Sequence, residues 1–592
     1  MALIQSAPIS STATKRQVGR HYQSLILMLM ITCLLFGGIG SRLAHLQLTE
    51  GAHNRQLAEN NRTRVIPKQP QRGNIFDRKG KVLAGSRLSH SLYLWPRAPK
   101  QADWPTTLKR LSQILNIPAA EIQMRLKQAG YNSPTLVRVA RGLSPSQITA
   151  LAEYNNELHS IDVDIEAVRD YPNREIAAHV LGYTGEMSDE ELAKKRDQGY
   201  RLGDAIGQMG VEAAFEKQLR GEWGGQQMEV DGAGRIVRIL GEKPAKAGQD
   251  IHLTLDLDLQ KAAETALGDR KGAIVALDPR NGGVLAMVSR PTFDPNIFST
   301  RINPNKWREL QSKDHPFVNR ALRGFPPAST FKVITTTAGI QSGKFSPDTV
   351  LETYPSINIG GVNFADWNHA GFGPLGFVGA LTWSSDTFFY QIGRGVGGPT
   401  LIEWARRYGF GKKTGIELAT EESLGLVADD AWKQRHVHQP WSVGDTVNMS
   451  IGQGFLQVTP LQLAVMFSVP ANGGYLVKPH LLKDNEAEKN WRQSLNLKPE
   501  TIRVLREGLR GVVNGGTGNT LNVPTIPPAA GKSGTAESFG HEPHVWFCAY
   551  APSDQPEIAV VAFGENAGGS GGKVAAPMVL QVLEAYFKSR TP

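Results

Sequence analysis

The chain has 592 residues, 40% hydrophobic and 20% charged, which is typical of a globular protein with more than one domain. The net charge of +10 is not concentrated in a Lys/Arg tract and no zinc-finger spacing occurs, which argues against nucleic-acid binding and favours a membrane surface or an anionic polymer. Two cysteines, Cys33 and Cys548, exclude a disulfide framework, and we predict both as buried small hydrophobic residues.

The N-terminus carries a candidate membrane anchor. Lys15, Arg16 and Arg20 precede the uncharged run 24–40, which reaches spanning length if it extends to Leu43. Basic residues before the run place the N-terminus in the cytoplasm and the rest of the chain outside the membrane. A cleaved signal peptide is the alternative, but no small-x-small cleavage site follows the run.

Residues from about 100 to 200 have a mixed, mostly helical pattern, with helices predicted over Thr107–Leu115 and Pro118–Lys127. In the segment Gln71–Ala84, QRGNIFDRKGKVLA, Arg72-Gly73 and Asp77-Arg78 could form a turn with a surface ion pair. His179 lies in an apolar stretch that we predict as a strand, where a histidine is a core residue more often than a ligand.

From Gln249 the pattern changes to alternating and continuous apolar strands. A strand over Ile251–Leu255 precedes a helix over Leu257–Leu267, and a hairpin then joins two apolar strands. The predicted strands of this region are Ala273–Leu277, Val284–Ser289, Val545–Tyr550 and Ile558–Phe563, and Ala575–Phe587 is a closing helix. Strands at both ends with helices between predict an α/β (α+β) fold whose antiparallel central sheet is covered by helices.

A serine three residues before a lysine stands between these strand pairs, at Ser329 and Lys332. Two prolines just ahead predict that Ser329 begins a helix, which places Lys332 on the same face, beside the hydroxyl. A serine is a weak nucleophile unless a base takes its proton, and a lysine with a lowered pKa can be that base. S-x-x-K alone is a weak signal, because it occurs by chance in long chains.

Two later segments make the combination specific. Ser384-Ser385-Asp386 and Lys532-Ser533-Gly534-Thr535 follow in the order typical of penicillin-recognising acyl-serine enzymes, and the chain resembles that superfamily. The Gln71–Ala84 segment is similar to the R-G-x-I-x-D-R motif that opens the non-catalytic region of class B penicillin-binding proteins, where it is structural. The resemblance is closest to the elongation type often called PBP2.

The resemblance implies a domain order and a set of roles. It implies a tail at 1–23, an anchor at 24–43, a non-catalytic pedestal at 44–248 and a transpeptidase domain at 249–592. Ser329 would attack the penultimate D-alanine of a D-Ala-D-Ala stem peptide, with Lys332 as base and kept neutral in part by a second lysine. The implied catalytic residues are Ser329, Lys332, Ser384 and Lys532. The implied substrate-binding residues are Asp386, Ser533, Gly534 and Thr535, and backbone N–H groups of Ser329 and Thr535 would form the oxyanion hole.

Two positions depart from patterns in the superfamily. Asp386 replaces the usual Asn, which is typical of elongation-type rather than division-type enzymes. Some elongation-type relatives hold zinc near the site through two Asp, a His and a Cys. Here Asp366 and His369 are present, but Ser385 replaces the Cys and Tyr354 stands near the first Asp. Because a neutral Ser hydroxyl is a poor zinc ligand, we predict no metal and no other cofactor.

The leading hypothesis is therefore an elongation-type peptidoglycan D,D-transpeptidase in the cytoplasmic (inner) membrane. The alternatives are a septal transpeptidase, a β-lactamase or D,D-carboxypeptidase, and a non-catalytic β-lactam sensor or scaffold. The predicted partners are stem peptides, β-lactams, and a membrane-embedded RodA-type glycosyltransferase with the elongation complex, because the pedestal does not resemble a glycosyltransferase.

Overall fold

A computed structural model of the chain describes residues 11–52, 63–131, 136–158, 160–201, 203–230, 236–299, 302, 304–483 and 492–589. The chain divides into two compact units. One consists of Met1–Gln69 with Trp223–Ala245, and the other of Pro70–Glu222 with Lys246–Pro592. The first ten residues of the predicted tail lie outside the described residues.

The first unit contains the candidate anchor. A helix spans Ser11–Ala44, and Tyr22–Thr49 has a mean hydropathy of 2.1 with none of it buried inside the protein. This one helix is long and apolar enough to cross a membrane, as predicted. The prediction of a buried Cys33 is wrong, because this residue is exposed on the unburied helix. An antiparallel sheet of Thr63–Lys68, Gly224–Val230 and Ile236–Lys243 completes the unit.

The pedestal part of the second unit is built on one long strand, Val82–Leu94. It pairs with strands Ile75–Phe76, Val137–Arg141 and Ile161–Asp170. Helices Trp104–Leu115, Ala119–Ala129 and Pro145–Glu153 bury Leu and Ile side chains against it, which confirms the two predicted helices. The shorter elements are helices Ala178–Leu181, Asp189–Lys195, Gly210–Ala214 and Glu216–Leu219 and strands Thr184–Glu186 and Ala205–Gly207.

His179 is a core residue, as predicted, but it lies in the helix Ala178–Leu181 rather than in a strand. Its Nε2 is 2.7 Å from the carbonyl oxygen of Pro316. Burial lowers the pKa of His179 to about 4, so the ring is neutral at physiological pH. A neutral histidine with a backbone partner serves packing.

The Gln71–Ala84 segment contains a turn at residues 77–80, where the Gly80 N–H donates to the Asp77 carbonyl, and it also forms buried contacts. Arg72 pairs with Glu212 and Glu216, each at 2.7 Å. The fully buried Asp77 accepts hydrogen bonds from the backbone N–H groups of Lys79 and Lys81, and from that of Leu257. The segment therefore ties the pedestal to the region that follows residue 249, which agrees with a structural role.

The central sheet of the second unit has five antiparallel strands. They are β1 (Gly272–Leu277), β2 (Val284–Arg290), β3 (Ala530–Ser538), β4 (His541–Ala551) and β5 (Ile558–Gly564), in the spatial order β2-β1-β5-β4-β3. Every residue of β1 and β5 is buried. Continuous apolar runs of this kind are expected when both faces of a sheet are covered by helices.

The two faces of this sheet belong to two hydrophobic cores. Ile274 and Ala276 face the core shared with helices Leu257–Leu267 and Gly571–Lys588. Their neighbours in β1 belong to the other core, which helix Pro460–Asn472 helps to form. This arrangement confirms the predicted antiparallel sheet covered by helices. The predicted strand 251–255 is shorter, at Ile251–His252, because the Thr254 N–H bonds the Leu481 carbonyl instead.

The remaining elements lie between β2 and β3. The helices are Pro304–Leu310, α1 (Lys332–Gln341), α2 (Phe377–Trp383), α3 (Asp386–Val396), Gly398–Arg407, Asp430–Val437, Val443–Ser450 and Pro499–Asn514. The strand pairs are Val350–Thr353 with Gly373–Gly376, Ser356–Ile359 with Val362–Ala365, Leu426–Val427 with Leu456–Gln457, and Tyr475–Val477 with Arg492–Ser494.

Candidate active site

Ser329 lies in a short 3-10 turn, Ala328–Phe331, that leads directly into α1. The helix thus begins with Lys332, three residues after the predicted start. Ala328 has a φ of 50°, a conformation that an L residue rarely adopts, and its N–H donates to the Gly452 carbonyl. A Cβ on residue 452 would lie 2.1 Å from the Ala328 oxygen, so the serine turn requires a glycine there.

Lys332 is completely buried at the start of α1. Its Nζ donates to the Ser384 carbonyl (2.8 Å), the Ser384 hydroxyl (3.2 Å) and the Asp386 carboxylate (2.6 Å). An ammonium group has three N–H donors, so these contacts use all of them. Lys332 therefore faces the second motif, and in the described part of the chain the partly exposed Ser329 hydroxyl has no hydrogen-bond partner.

Ser384 occupies the short connection between α2 and α3, with a φ of 58° in the left-handed region. Its hydroxyl oxygen is 2.8 Å from the Nζ of Lys532, which reaches it from the edge strand β3. The Ser384 hydroxyl thus lies between the amino groups of two fully buried lysines. The structure brings together three motifs that are far apart in sequence.

The two lysines differ in their electrostatic surroundings. Burial and the nearby charge of Lys332 lower the pKa of Lys532 well below its usual value, against the opposite effect of Asp386. We expected the proximity of two lysines to act on Lys332. Instead, Lys332 forms an ion pair with Asp386, the residue predicted to bind substrate.

Strand β3 passes directly over the serine turn. A Cβ on Gly534 would lie 3.1 Å from both the Pro327 oxygen and a Thr330 methyl carbon, so glycine permits this close approach. Trp546 in β4 donates its indole N–H to the Pro326 carbonyl at 2.9 Å and holds the turn from behind. The nucleophile and the third motif are therefore fixed relative to each other by backbone packing.

The remaining residues of the third motif differ in exposure. Ser533 is mostly buried, and its hydroxyl is 2.7 Å from that of Thr517. Thr535 is exposed and accepts a hydrogen bond from the Gly571 N–H. Thr517 was missed by the sequence analysis, because an isolated threonine in a glycine-rich loop carries no distinguishing pattern.

Phe389 was also missed, although a signal for it exists. It follows Asp386 by three positions on α3, which puts both on one helix face, and its ring centre is 5.5 Å from the Lys332 Nζ. An aromatic ring at this distance can stabilise a lysine cation. The ring of Phe389 therefore lies beside the Lys332 amino group.

The residues that could be remnants of a zinc site do not fit one. One oxygen of the buried Asp366 accepts hydrogen bonds from the Ser385 hydroxyl (2.8 Å), the Thr387 N–H (2.9 Å) and the Thr387 hydroxyl (3.0 Å). His369 is exposed, and Tyr354 offers no carboxylate. Within the described residues no three His, Cys, Asp or Glu side chains form a group able to hold a metal ion. The Asp366 contacts pin this loop to the second motif.

The site places a serine on a tight turn beside two buried lysines, with a second serine between them, at the edge of an antiparallel sheet. This arrangement defines an acyl-serine enzyme of the penicillin-recognising class. Residues 272–584 match the penicillin-binding protein transpeptidase domain, and residues 67–253 match the penicillin-binding protein dimerisation domain. The chain belongs to the class B penicillin-binding proteins, in the PBP2 or MrdA group.

Curated and solved relatives agree with this assignment. The chain is 32% identical over 97% of its length to the peptidoglycan D,D-transpeptidase MrdA of Acinetobacter baumannii, of which it covers 89%. PBP2 of Helicobacter pylori, solved in complex with MreC, matches with a TM-score of 0.80 and 27% identity, over 89% of this chain and 99% of that one.

A chain of a peptidoglycan synthase complex that coordinates polymerization and crosslinking matches with a TM-score of 0.70 and 32% identity, over 96% of this chain and 98% of that one. These matches confirm the predicted family and, with it, the elongation-type peptidoglycan transpeptidase rather than the septal alternative.

Proposed function

We propose that this chain cross-links peptidoglycan stem peptides in two acyl-transfer steps through Ser329. The Ser329 oxygen attacks the carbonyl carbon of the penultimate D-alanine, the bond to the terminal D-alanine breaks, and that residue leaves with a proton on its amine. The amine of a neighbouring stem peptide then attacks the ester and restores the hydroxyl. The observation that carries this proposal is the Ser384 hydroxyl held between Lys332 and Lys532 beside the serine turn.

The proton transfers follow from the charges in the cleft. The Ser329 proton can pass only to an unprotonated amine, so neutral Lys332 is the base for this step, and the Asp386 carboxylate 2.6 Å from its Nζ holds the side chain in place. Lys532, with its lowered pKa, is the lysine that can exchange a proton with the Ser384 hydroxyl. Ser384 can then relay a proton to the leaving amine.

The substrate would add along the free side of β3. This strand ends the strand order of the sheet, and an edge strand can pair with an extended peptide. Ser533 and Thr535, with Lys532, lie where they can bind the terminal carboxylate, and Gly534 lets the strand approach the nucleophile. Backbone N–H groups of Ser329 and Thr535 would stabilise the oxyanion, each such donor contributing roughly 3 kcal/mol in comparable enzymes.

The setting of the enzyme is part of the proposal. The apolar helix anchors it once in the inner membrane, with the tail 1–23 in the cytoplasm, the pedestal 44–248 and the transpeptidase domain 249–592 outside. The relatives solved with MreC and in a synthase complex support an elongation complex with a RodA-type glycosyltransferase as partner.

The decisive test is acylation of the full-length protein in detergent by a fluorescent penicillin. We expect stable labelling of the parent, none of Ser329→Ala, and unchanged labelling of Ser342→Ala, an exposed serine just after α1. Rapid loss of label with release of hydrolysed drug would instead favour the β-lactamase alternative. No labelling of the folded parent would favour a scaffold.

A further inference from the structure

Three aromatic side chains form an exposed surface beside the cleft, which we call the aromatic rim: Trp367, Phe372 and Trp383. Trp367 and Trp383 are 53% and 41% exposed. Phe372 stacks on Trp383 at 6.3 Å with an interplanar angle of 25°, and lies 5.6 Å from Trp367. Indole side chains that are about half exposed contribute little to the packing of a hydrophobic core. Exposed apolar surfaces of this kind commonly mark binding sites.

The rim is attached to the catalytic motifs at both of its tryptophans. Trp383 immediately precedes Ser384, and its carbonyl accepts the indole N–H of Trp367 at 3.0 Å. Trp367 immediately follows Asp366, whose carboxylate is bonded to Ser385 and Thr387. These hydrogen bonds tie the Trp367 indole to the backbone of Trp383 and tie Asp366 to the start of α3, so the rim adjoins the second motif.

The rim also adjoins the third motif. The carbonyl of Thr382 accepts the backbone N–H of Thr517 at 3.4 Å, and the hydroxyl of Thr517 contacts that of Ser533. A molecule that rests on the rim is thus held beside the strand that takes the stem peptide.

The charge pattern indicates what kind of molecule this is. Residues 367–383, WNHAGFGPLGFVGALTW, contain no Asp, Glu, Lys or Arg, although 20% of the chain is charged. A stem peptide carries carboxylates and ammonium groups, for which this segment offers no opposite charge. A pyranose ring with an N-acetyl group is uncharged, and its C–H face is apolar and flat, which suits an indole surface.

We propose that the aromatic rim binds N-acetylhexosamine rings of the glycan strand whose stem peptide enters the cleft. This inference rests on the proposed function for the identity of the substrate. The rim positions the polymer, so that a stem peptide still attached to glycan reaches Ser329 at a higher local concentration than a free peptide does. It takes no part in the acyl transfer itself.

The test is binding of a peptide-free glycan, chitotetraose, to the full-length protein in a detergent without a sugar head group. Isothermal titration and saturation-transfer NMR would measure affinity and contact. We expect Trp367→Ala and Trp383→Ala each to weaken binding by about tenfold, the size expected for loss of one aromatic stacking partner. Trp307→Ala is the matched control, because Trp307 is also 41% exposed and packs beside a phenylalanine, and it should bind as the parent does.

A second variant separates stacking from loop disorder. Trp367→Phe loses the hydrogen bond to the Trp383 carbonyl and keeps an aromatic face, so it should retain most of the affinity that Trp367→Ala loses. Thermal unfolding of each variant checks that the fold is intact. Equal loss in Trp367→Phe and Trp367→Ala would overturn the stacking proposal.

The remaining outcomes are equally informative. No binding of chitotetraose to the parent, or equal binding by parent and both alanine variants, overturns the proposal. A sugar-free pentapeptide that perturbs the rim resonances in place of the glycan also overturns it, in favour of a peptide subsite. Because chitotetraose cannot acylate the enzyme, Ser329→Ala is expected to bind it, and the result is independent of the acyl-serine assignment.

Discussion

The pedestal and the cleft both bury charged groups, but they balance them differently. In the pedestal, Arg72 and Arg169 face Glu212 and Glu216, so that two cations meet two carboxylates. Burial by itself would raise the pKa of Glu212, but the guanidinium groups of Arg169 and Arg72 outweigh it and lower this pKa, so the Glu212 carboxylate stays charged. In the cleft, the Asp386 carboxylate pairs with Lys332 alone, and it reaches Lys532 only as a nearby charge that raises the pKa of that lysine.

The balanced charges of the pedestal serve its structure, whereas the unbalanced charges of the cleft serve its chemistry. A balanced network does not readily gain or lose a proton, which suits a structural contact between Arg72 and the helices at residues 210–219. The cleft places two buried lysines beside one carboxylate, so one of the lysine amino groups can more readily give up or take a proton. The four predictions below test this contrast, beginning with the largest effect.

The largest effect should come from removing a cleft lysine. Lys332→Met should reduce the rate of acylation by penicillin about 1,000-fold, the middle of the range for loss of a general base. The free energy of unfolding should fall less than it does for the pedestal variant Glu212→Gln, because the Asp386 side chain is 15% exposed whereas that of Glu212 is fully buried. Stopped-flow acylation measures the first quantity and thermal unfolding the second. The control, Lys344→Met, removes a lysine beyond the end of α1, and a slow Lys344→Met would refute a specific role for Lys332.

The pedestal should show the opposite pattern. Glu212→Gln leaves the buried Arg169 and Arg72 without their shared carboxylate, which typically costs about 3–5 kcal/mol of stability. Chemical unfolding should detect this loss, while the acylation rate per folded molecule stays near that of the parent. Glu222→Gln breaks only an exposed pair with Lys246 and should have no measurable effect. Similar stability of both variants would contradict the contrast.

A subtler change is expected when the only carboxylate of the lysine pair becomes an amide. Asp386 raises the pKa of Lys532, so Asp386→Asn should lower it further. A lower lysine pKa means that the neutral amine persists at lower pH, and the acidic limb of the acylation rate should move down by about one pH unit. The pH profile of penicillin acylation tests this. The control is Asp445→Asn, which removes the carboxylate that pairs with Lys433 outside the cleft. A shift to higher pH would show that Lys532 does not govern this limb.

The smallest effect concerns one carboxyl group at the contact between the pedestal and the catalytic region. Glu421 accepts the Gly210 N–H at 2.8 Å, and burial raises its pKa to about 7. Between its usual pKa near 4.5 and 7, the folded state binds more protons than the unfolded state, so stability should fall as the pH rises through this window. The loss should be on the order of 2 kcal/mol, seen as a lower midpoint of urea unfolding at pH 7.5 than at pH 5.

Glu421→Gln should remove this part of the pH dependence and leave a different one intact. His179 has a pKa lowered to about 4, so its contribution is present above its usual value of 6.5 and is lost as the pH falls toward 4. The two groups therefore act in opposite directions. An unchanged pH profile in Glu421→Gln would exclude Glu421 as the source of the alkaline decline.

The parts that were predictable from sequence depend on short-range periodicity. The apolar runs of β1, β2, β4 and β5 indicated buried strands, and the spacing of Ser329 and Lys332 placed them on one turn. Ser385 caps α3 through its hydroxyl, which accepts the Phe388 N–H. These features follow from local backbone geometry and could be inferred without knowing the tertiary structure.

The parts that were not predictable depend on contacts between distant segments. Arg72 pairs with Glu212, which is 140 residues away in the sequence, and nothing in the sequence of either segment indicates that pairing. The direction of the Lys332 side chain depends on the left-handed conformation of Ser384, which the sequence does not indicate. The lowered pKa of Lys532 depends on its burial in β3 and on its neighbour Lys332, which only the folded chain supplies.

The two cysteines offer a native means of labelling this enzyme. Cys548 is fully buried opposite Lys532 in the central sheet, and burial raises its pKa well above the usual value, so its thiol should be inert to maleimides. Cys33 is exposed on the apolar helix. A lipid-soluble maleimide carrying a nitroxide should therefore attach to Cys33 alone. Its accessibility to oxygen and to a water-soluble relaxer would report how deep that turn of the helix lies in a bilayer, with no engineered cysteine.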